Sequence, residues 1–281
     1  MGNNQNPKCA CVNCANIGKY AHPVRRRGGG NAYLCEFHET ALESYFNKNN
    51  YRLGERKANG DTFAVELETS YSNRQARIEL CIARFLPTSD CTAHGGEFKS
   101  PIYEGACGLK AFLPSIEDMK RSGDIEINDS CGTHLHIGHH EYINPLYMSY
   151  IRRFYHSIFV PLSNSMEINR YKTEAIFGRY FGNWARAINT RIDAEEHTNF
   201  INTQHAYTLE YRICFFKDAA QYSKAIDLCR EFNHIVIKTF CKKVERMGLH
   251  EGERLTDAQK TELANAARKT AVKLVNAFEN A

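Results

Sequence analysis

A chain of 281 residues with 43% hydrophobic, 24% charged and 11% aromatic content has enough apolar mass for a full core, which excludes a disordered or collagen-like polymer. Its 36 basic and 32 acidic residues leave a net charge of +4, short of the surplus that holds a protein on nucleic acid mainly through phosphates. No run of about 18 apolar residues occurs and the stretch from Met1 to Lys8 is polar, so no membrane span or signal peptide is expected and a cytoplasmic location is.

Residues 1–58 read as a separate small module. Four of the eleven cysteines fall within the first 35 residues, around the loop-like run Arg25-Arg26-Arg27-Gly28-Gly29-Gly30. Cys11-x-x-Cys14 and Cys35-x-x-His38, with 20 residues between the pairs, have the spacing by which two tight turns present four ligands to a tetrahedral zinc ion. The second pair opens a helix-like stretch, Glu39 to Lys48, so the module resembles a treble clef with structural Zn²⁺. Cys9 is a competing ligand and His22 is another candidate for one of the four positions. A site with four protein ligands is closed to substrate. Arg25 to Arg27 read as a solvated loop, with a nucleic-acid contact as the alternative.

Residues 59–281 form the second expected domain. After the turn signal Asn59-Gly60, residues 61–69 alternate apolar and polar, which predicts a strand with Phe63, Val65 and Leu67 on one face and Glu66 and Glu68 on the other. Two neighbouring carboxylates repel unless a cation sits between them. The spacing then predicts a helix over 72–86 closed by Pro87, a strand over 97–102, a helix over 106–121, and a hairpin of 124–128 with 133–138 around Asp129 to Gly132. Helices are expected over 143–160 and 166–178, a loop-rich stretch to Gln204, a strand over 206–216, and helices over 218–247 and 256–279, the last capped by Thr256.

Four short elements carry the candidate chemistry. They are Glu66-Leu-Glu68; Asp90 with Glu97 and Lys99; His134-Leu-His136; and Glu210-Tyr-Arg212. Singly, each has a plain explanation as a solvent face, a satisfied histidine pair or an ion pair. Together they would put two polar side chains per strand on one sheet face, and an oxygen-rich set with added imidazole suits Mg²⁺ or Mn²⁺ bound with phosphates. Arg212 beside such ions is suited to phosphoryl oxygens.

The order Phe63-Ala-Val-Glu-Leu-Glu68, Gly96-Glu-Phe-Lys-Ser-Pro101, Ser130-Cys-Gly-Thr-His-Leu-His136 and Thr208-Leu-Glu-Tyr-Arg212 resembles the amidoligase family of phages, bacteria and fungi. That family belongs to the carboxylate-amine ligases with a glutamine-synthetase-like fold. The resemblance covers roughly residues 60 to 245, and Ser-Cys-Gly-x-His-x-His is its most specific part. It implies an α+β fold in which an antiparallel sheet holds ATP and two or three divalent ions, with helices packed behind. It also implies two-step chemistry: a carboxylate attacks the γ-phosphate of ATP, and an amine then displaces phosphate to leave an amide or isopeptide bond.

By the same resemblance Glu66, Glu68, Asp90, Glu97, His134 and Glu210 are implied metal ligands, with Glu66 nearer the nucleotide. His136 and Arg212 are implied to contact ATP phosphates, and Glu66, Glu97 and Arg212 to form the catalytic set. Arg179, Tyr180 and Asn189 lie where the family has an Arg-Tyr followed by Leu-Asn, although Ile188 replaces that leucine. Lys99 stands where the family often has an apolar residue. Cys131 reads as a small turn residue, since the ATP-dependent chemistry needs no thiol. The implied partners are a carboxylate and an amine, a peptide or protein among them, and a phage source would put the protein in the host cytoplasm. Two other readings stay open: a zinc-containing binding module on an inactive ligase-like scaffold, and a metal-dependent phosphoesterase or nuclease.

Overall fold

The computed structural model describes residues 7–8, 16–24, 30–36, 39, 62–73, 76–77, 79–80, 85–88, 95–138, 145–181, 199–202, 208–249 and 254–281. The chain divides into two compact units, residues 1–53 with 64–132 and residues 54–63 with 133–281. Helices and antiparallel strands are mixed throughout, an α+β composition. No helix of the described residues is long and apolar enough to cross a membrane.

The first unit opens with an antiparallel hairpin, β1 (Tyr20–Val24) and β2 (Gly30–Leu34), in which Tyr20 faces Leu34 and Val24 faces Gly30. Of the expected zinc ligands only Cys35 is described. It is buried, and the Asn16 amide lies 3.8 Å from its Sγ. Cys9, Cys11, Cys14, Arg25 to Arg27 and His38 lie outside the described residues, as do Asn59-Gly60 and the expected helix beyond Glu39; the backbone of His22 belongs to β1.

β3 (Thr62–Thr69) is the strand that its alternation predicts, with Phe63, Val65 and Leu67 almost fully buried. It leads into the short β4 (Tyr71–Ser72); β5 (Leu86–Thr88), β6 (Gly96–Lys99) and β7 (Tyr103–Glu104) follow. Antiparallel pairing gives the order β5-β6-β3. Ser100 fastens the end of β6 to β3, its N–H donating to Val65 O at 2.8 Å and its hydroxyl accepting from Val65 N at 2.8 Å. Pro87 does not close a helix: it lies within β5, opposite Phe98. The described part of the preceding helical stretch is residues 76–77 and 79–80.

Helix α1 (Cys107–Arg121) buries Leu109, Leu113, Ile116 and Met119, a stripe at helical spacing, each fully buried side chain of this size contributing about 1.5–3 kcal/mol. β8 (Ile125–Glu126) then departs from expectation. It does not form a hairpin with the strand after Gly132 but pairs with β4, Tyr71 facing Glu126 and Ser72 facing Ile125. The pairing is fixed from its flanks: Asn73 donates its amide to Asp124, which also accepts from Ser122, and Ser70 N–H donates to Glu126 O at 2.9 Å. These two hydrogen bonds hold the Asp124 carboxyl below its ordinary pKa, Ser122 contributing more than Asn73.

In the second unit β9 (Thr133–Gly138), β10 (Ile201–Asn202) and β11 (Thr208–Tyr211) pair antiparallel in the order β10-β11-β9. Helix α2 (Pro145–Ile168) is continuous where a break was expected, and α3 (Arg170–Phe177) follows after Asn169. Pro161 sits inside α2 with its ring exposed, as Pro114 does in α1. A proline on the solvent side leaves the freed carbonyl one turn back to water, so the helix continues through it.

Helix α4 (Ala219–Val236) is capped by Asp218, which accepts from Gln221 N at 2.7 Å, and it runs through a π turn at Ile237–Cys241 into α5 (Lys242–Arg246). Buried Asn233 on α4 donates to Gly138 O at 2.8 Å, fastening the end of β9 to that helix. α6 (Asp257–Asn280) packs mainly on α2 and also on α4, burying Leu263, Ala267, Leu274 and Phe278. Thr256 is the N-cap that the sequence predicts, completed into a capping box by Gln259. Cys214, Cys229 on α4 and Cys241 in the π turn are all buried; desolvation pushes the Cys229 and Cys241 thiols far above their ordinary pKa.

Thr256→Ala is expected to lower stability by about 1 kcal/mol, the usual cost of a lost N-cap, in a urea titration. At Gly95 a Cβ would come within 2.5 Å of both Thr69 O and Tyr71 N. Backbone cannot yield as a side-chain tip does, so Gly95→Ala is expected to destabilise by about 1–3 kcal/mol, measured in the same titration.

Candidate active site

The first cluster lies in the first unit and follows from register. β3 and β6 pair with Glu66 opposite Lys99 and Glu68 opposite Glu97. Leu67 faces Phe98 between them, and both are fully buried. Period-two alternation therefore sends all four charged side chains to the face opposite the core. Lys99 Nζ stands 2.7 Å from Glu66 Oε1 and 3.2 Å from Glu97 Oε1. Burial lowers the Lys99 pKa, but the hydrogen bond and charge of Glu66, with the charge of Glu97, outweigh it and leave it raised.

Glu68 has a distinct environment. Its backbone N–H donates to Gly132 O at 3.1 Å, while its Oε2 accepts from Gly132 N. The carboxylate is thereby fixed by the turn that carries Ser130-Cys131-Gly132. Asn128 organises that turn, its Oδ1 accepting from Ser130 N at 3.0 Å and from Cys131 Sγ at 3.6 Å. Cys131 is buried, and its contacts with Ser130 and Asn128 are those of a turn residue. Arg77 supports the entry to β6, donating to Ser72 Oγ at 2.6 Å and to Gly95 O at 3.0 Å. Asp90, the remaining carboxylate predicted here, lies outside the described residues.

The second cluster lies in the second unit and centres on Glu210. β9 and β11 pair with His136 opposite Glu210, and β10 sets Asn202 opposite the same glutamate. Glu210 is 1% exposed. A buried carboxylate at that depth needs partners for both oxygens. Oε1 accepts from Arg212 Nη1 at 2.8 Å and stands 3.2 Å from His134 Nδ1; Oε2 accepts from Asn202 Nδ2 at 2.7 Å. His136 Nδ1 is 3.4 Å from Thr208 Oγ1, and a ligand atom of His136 comes within 4.8 Å of one on Glu210. Arg212 N–H donates to Phe200 O at 2.8 Å, extending the ladder one residue past β11. The Arg212 Nε is buried with no hydrogen-bond partner among the described residues.

Sequence reasoning singled out His134, His136, Glu210 and Arg212, and the fold brings these four together. It missed Asn202, which falls in the stretch expected to be loop. No local pattern marks that residue, because its importance comes from pairing opposite Glu210. Arg179 and Tyr180 are placed elsewhere: the Arg179 guanidinium covers the Phe215 ring at 5.1 Å, and Arg170 covers the Tyr180 ring at 4.7 Å. Asn189 lies outside the described residues.

The donor chemistry fits a hard divalent cation. Glu66, Glu68 and Glu97 offer carboxylate oxygens, the ligands that Mg²⁺ and Mn²⁺ take. An ammonium already stands between Glu66 and Glu97, so a cation is accommodated there.

A comparison with curated proteins found no match. The family model described as "Putative amidoligase enzyme" matches residues 25–170. The match starts before the expected limit of about residue 60 and takes in Cys35 and His38. It includes the acidic pair of β3, the Gly96 to Pro101 element and the histidine pair of β9, and it stops short of Glu210 and Arg212. Since that span exceeds half of the 281 residues, the chain with its row of acidic residues on β3 and β6 belongs to the amidoligase family.

Proposed function

We propose that the protein is an ATP-dependent carboxylate-amine ligase of glutamine-synthetase-like type, joining a carboxylate to an amine through an acyl phosphate. The observation that carries the reading is the carboxylate row Glu66, Glu68 and Glu97 on one strand face, with a cation already held between Glu66 and Glu97. Family membership supplies the reaction class.

A carboxylate oxygen of the substrate attacks the γ-phosphorus and ADP departs. The amine then attacks the acyl carbon, the carbon-nitrogen bond forms, phosphate leaves, and the amine loses a proton. Bound Mg²⁺ or Mn²⁺ would neutralise charge on the phosphoryl oxygens. Glu66, Glu68 and Glu97 are the residues to hold it, with Asp90 a further candidate. Arg212 directs its remaining donors to phosphoryl oxygen, and His136 contacts phosphate. His134 and Glu210, proposed from the family as metal ligands, have a further part in this chain. Glu210 fixes the Arg212 guanidinium and faces the Nδ1 side of the His134 ring, so that the guanidinium is oriented before the nucleotide arrives. A structural zinc ion on Cys11, Cys14, Cys35 and His38 remains part of the proposal.

Unfolding temperature tests the reading, because a ligand of the native state raises it by mass action. The wild type is expected to gain stability with Mg²⁺ plus a non-hydrolysable ATP analogue, and Glu66→Gln/Glu68→Gln to lose that gain. Glutamine at position 68 keeps an acceptor for the Gly132 N–H, so folding is preserved. In isothermal titration Arg212→Ala is expected to weaken nucleotide binding by about 10- to 100-fold, the scale of hydrogen bonds to charged groups. Equal nucleotide stabilisation of wild type and double variant removes the assignment. Metal-dependent phosphodiester cleavage without ATP replaces it with the phosphoesterase reading.

A further inference from the structure

Lys99 has no place in the ligase chemistry, yet it is paired with two carboxylates on its face. It sits directly across the ladder from Glu66 and two residues after Glu97 on the same strand face. One ammonium therefore spans both carboxylates, at 2.7 and 3.2 Å. Its partners' side chains are 17% and 9% exposed while its own is 46% exposed, so the anions are built into the sheet and the cation enters from the open side. That is the arrangement of a bound ion with its counter-charge: fixed oxygens and a movable cation.

A divalent ion placed on the same oxygens would meet the ammonium at a few ångströms. Like charges at that separation repel strongly where water is partly excluded. The two cations cannot share the pair Glu66 and Glu97. The lysine has a flexible four-carbon stem and reaches its partners as a compact point charge, so it can withdraw toward solvent.

We propose that Lys99 is the resident cation of the Glu66 and Glu97 pair, and that a divalent ion occupies this pair only by displacing its ammonium. Lys99 is thus a positioning and metal-gating residue. It keeps the two carboxylates together while no divalent ion is bound and sets a threshold for metal entry. A nucleotide lowers that threshold, because its phosphates offer the released ammonium a new anionic partner. The inference rests on the reading that this face takes a divalent cation and does not depend on which bond the enzyme makes.

The test is a Mn²⁺ titration of the full chain without nucleotide, followed by electron paramagnetic resonance of free Mn²⁺, on wild type, Lys99→Met, Lys99→Gln and Glu66→Gln/Glu97→Gln. Lys99→Met keeps the length of the side chain without its charge, and Lys99→Gln keeps a hydrogen-bond donor should the methionine variant fold poorly. Removing the ammonium is expected to tighten Mn²⁺ binding about tenfold or more, given the strength of charge repulsion at this range. The tightened site should vanish in Glu66→Gln/Glu97→Gln. In metal-free buffer the Lys99 variants should unfold at lower temperature than wild type, and Mn²⁺ should restore them; a merely structural lysine would give a loss that Mn²⁺ does not repair. Unchanged or weaker Mn²⁺ binding in both Lys99 variants overturns the inference. If wild type is nonetheless stabilised by Mg²⁺ with the ATP analogue, only the role of Lys99 has failed. If that stabilisation is also absent, the nucleotide reading has failed with it.

Discussion

The pairing of β3 with β6 is the constraint on which the acidic cluster depends. Leu67 against Phe98 is an apolar contact sealed from water, and it fixes the register. Slipping either strand by one residue would turn Leu67 or Phe98 to the polar face and bury glutamates in their place. The same contact that stabilises the sheet therefore sets Glu66 against Lys99 and Glu68 against Glu97. Chemistry and core are two faces of one ladder, and neither can be adjusted alone.

Glu210 shows the complementary solution for a single buried charge. The carboxylate cannot be left unpaired at that depth, and Arg212, Asn202 and the His134 ring surround it. Such a set is costly to desolvate and is weak evidence of stability. What it gives is orientation: Arg212 is held by a group that is itself held by the sheet. Asn233, reaching from α4 to the end of β9, carries the same logic one layer further.

How much of this was legible in the sequence depends on the range of the interaction. Alternation from Phe63 to Glu68 and the cap at Thr256 are local, and both were readable. That Glu66 and Glu68 share a face, and His134 and His136 another, followed from period two within single strands, while their roles came only from the family resemblance. The hairpin expected around Gly132 was misplaced because strands as short as β4 and β8 carry almost no pattern of their own; the Asn73 to Asp124 hydrogen bond, 51 residues apart in sequence, decides their pairing. Pro87 misled for a related reason, and Pro161 inside α2 shows the same tolerance. Proline excludes a donor, not an element, and an outward-facing position or a strand register without need of that donor tolerates it. Asn202 had no local signature at all.

The buried thiols of the helical layer have a chemical corollary. Cys229 and Cys241 are kept in the neutral form by burial, and the thiolate is the form that reacts with alkylating reagents. In the closed protein these sulfurs are shielded twice, by protonation and by the packing of Phe232, Phe240 and their neighbours. Their alkylation must wait for the helices to part. The rate at which they react under native conditions is thus a built-in clock for opening of this layer, read by mass without any engineered label.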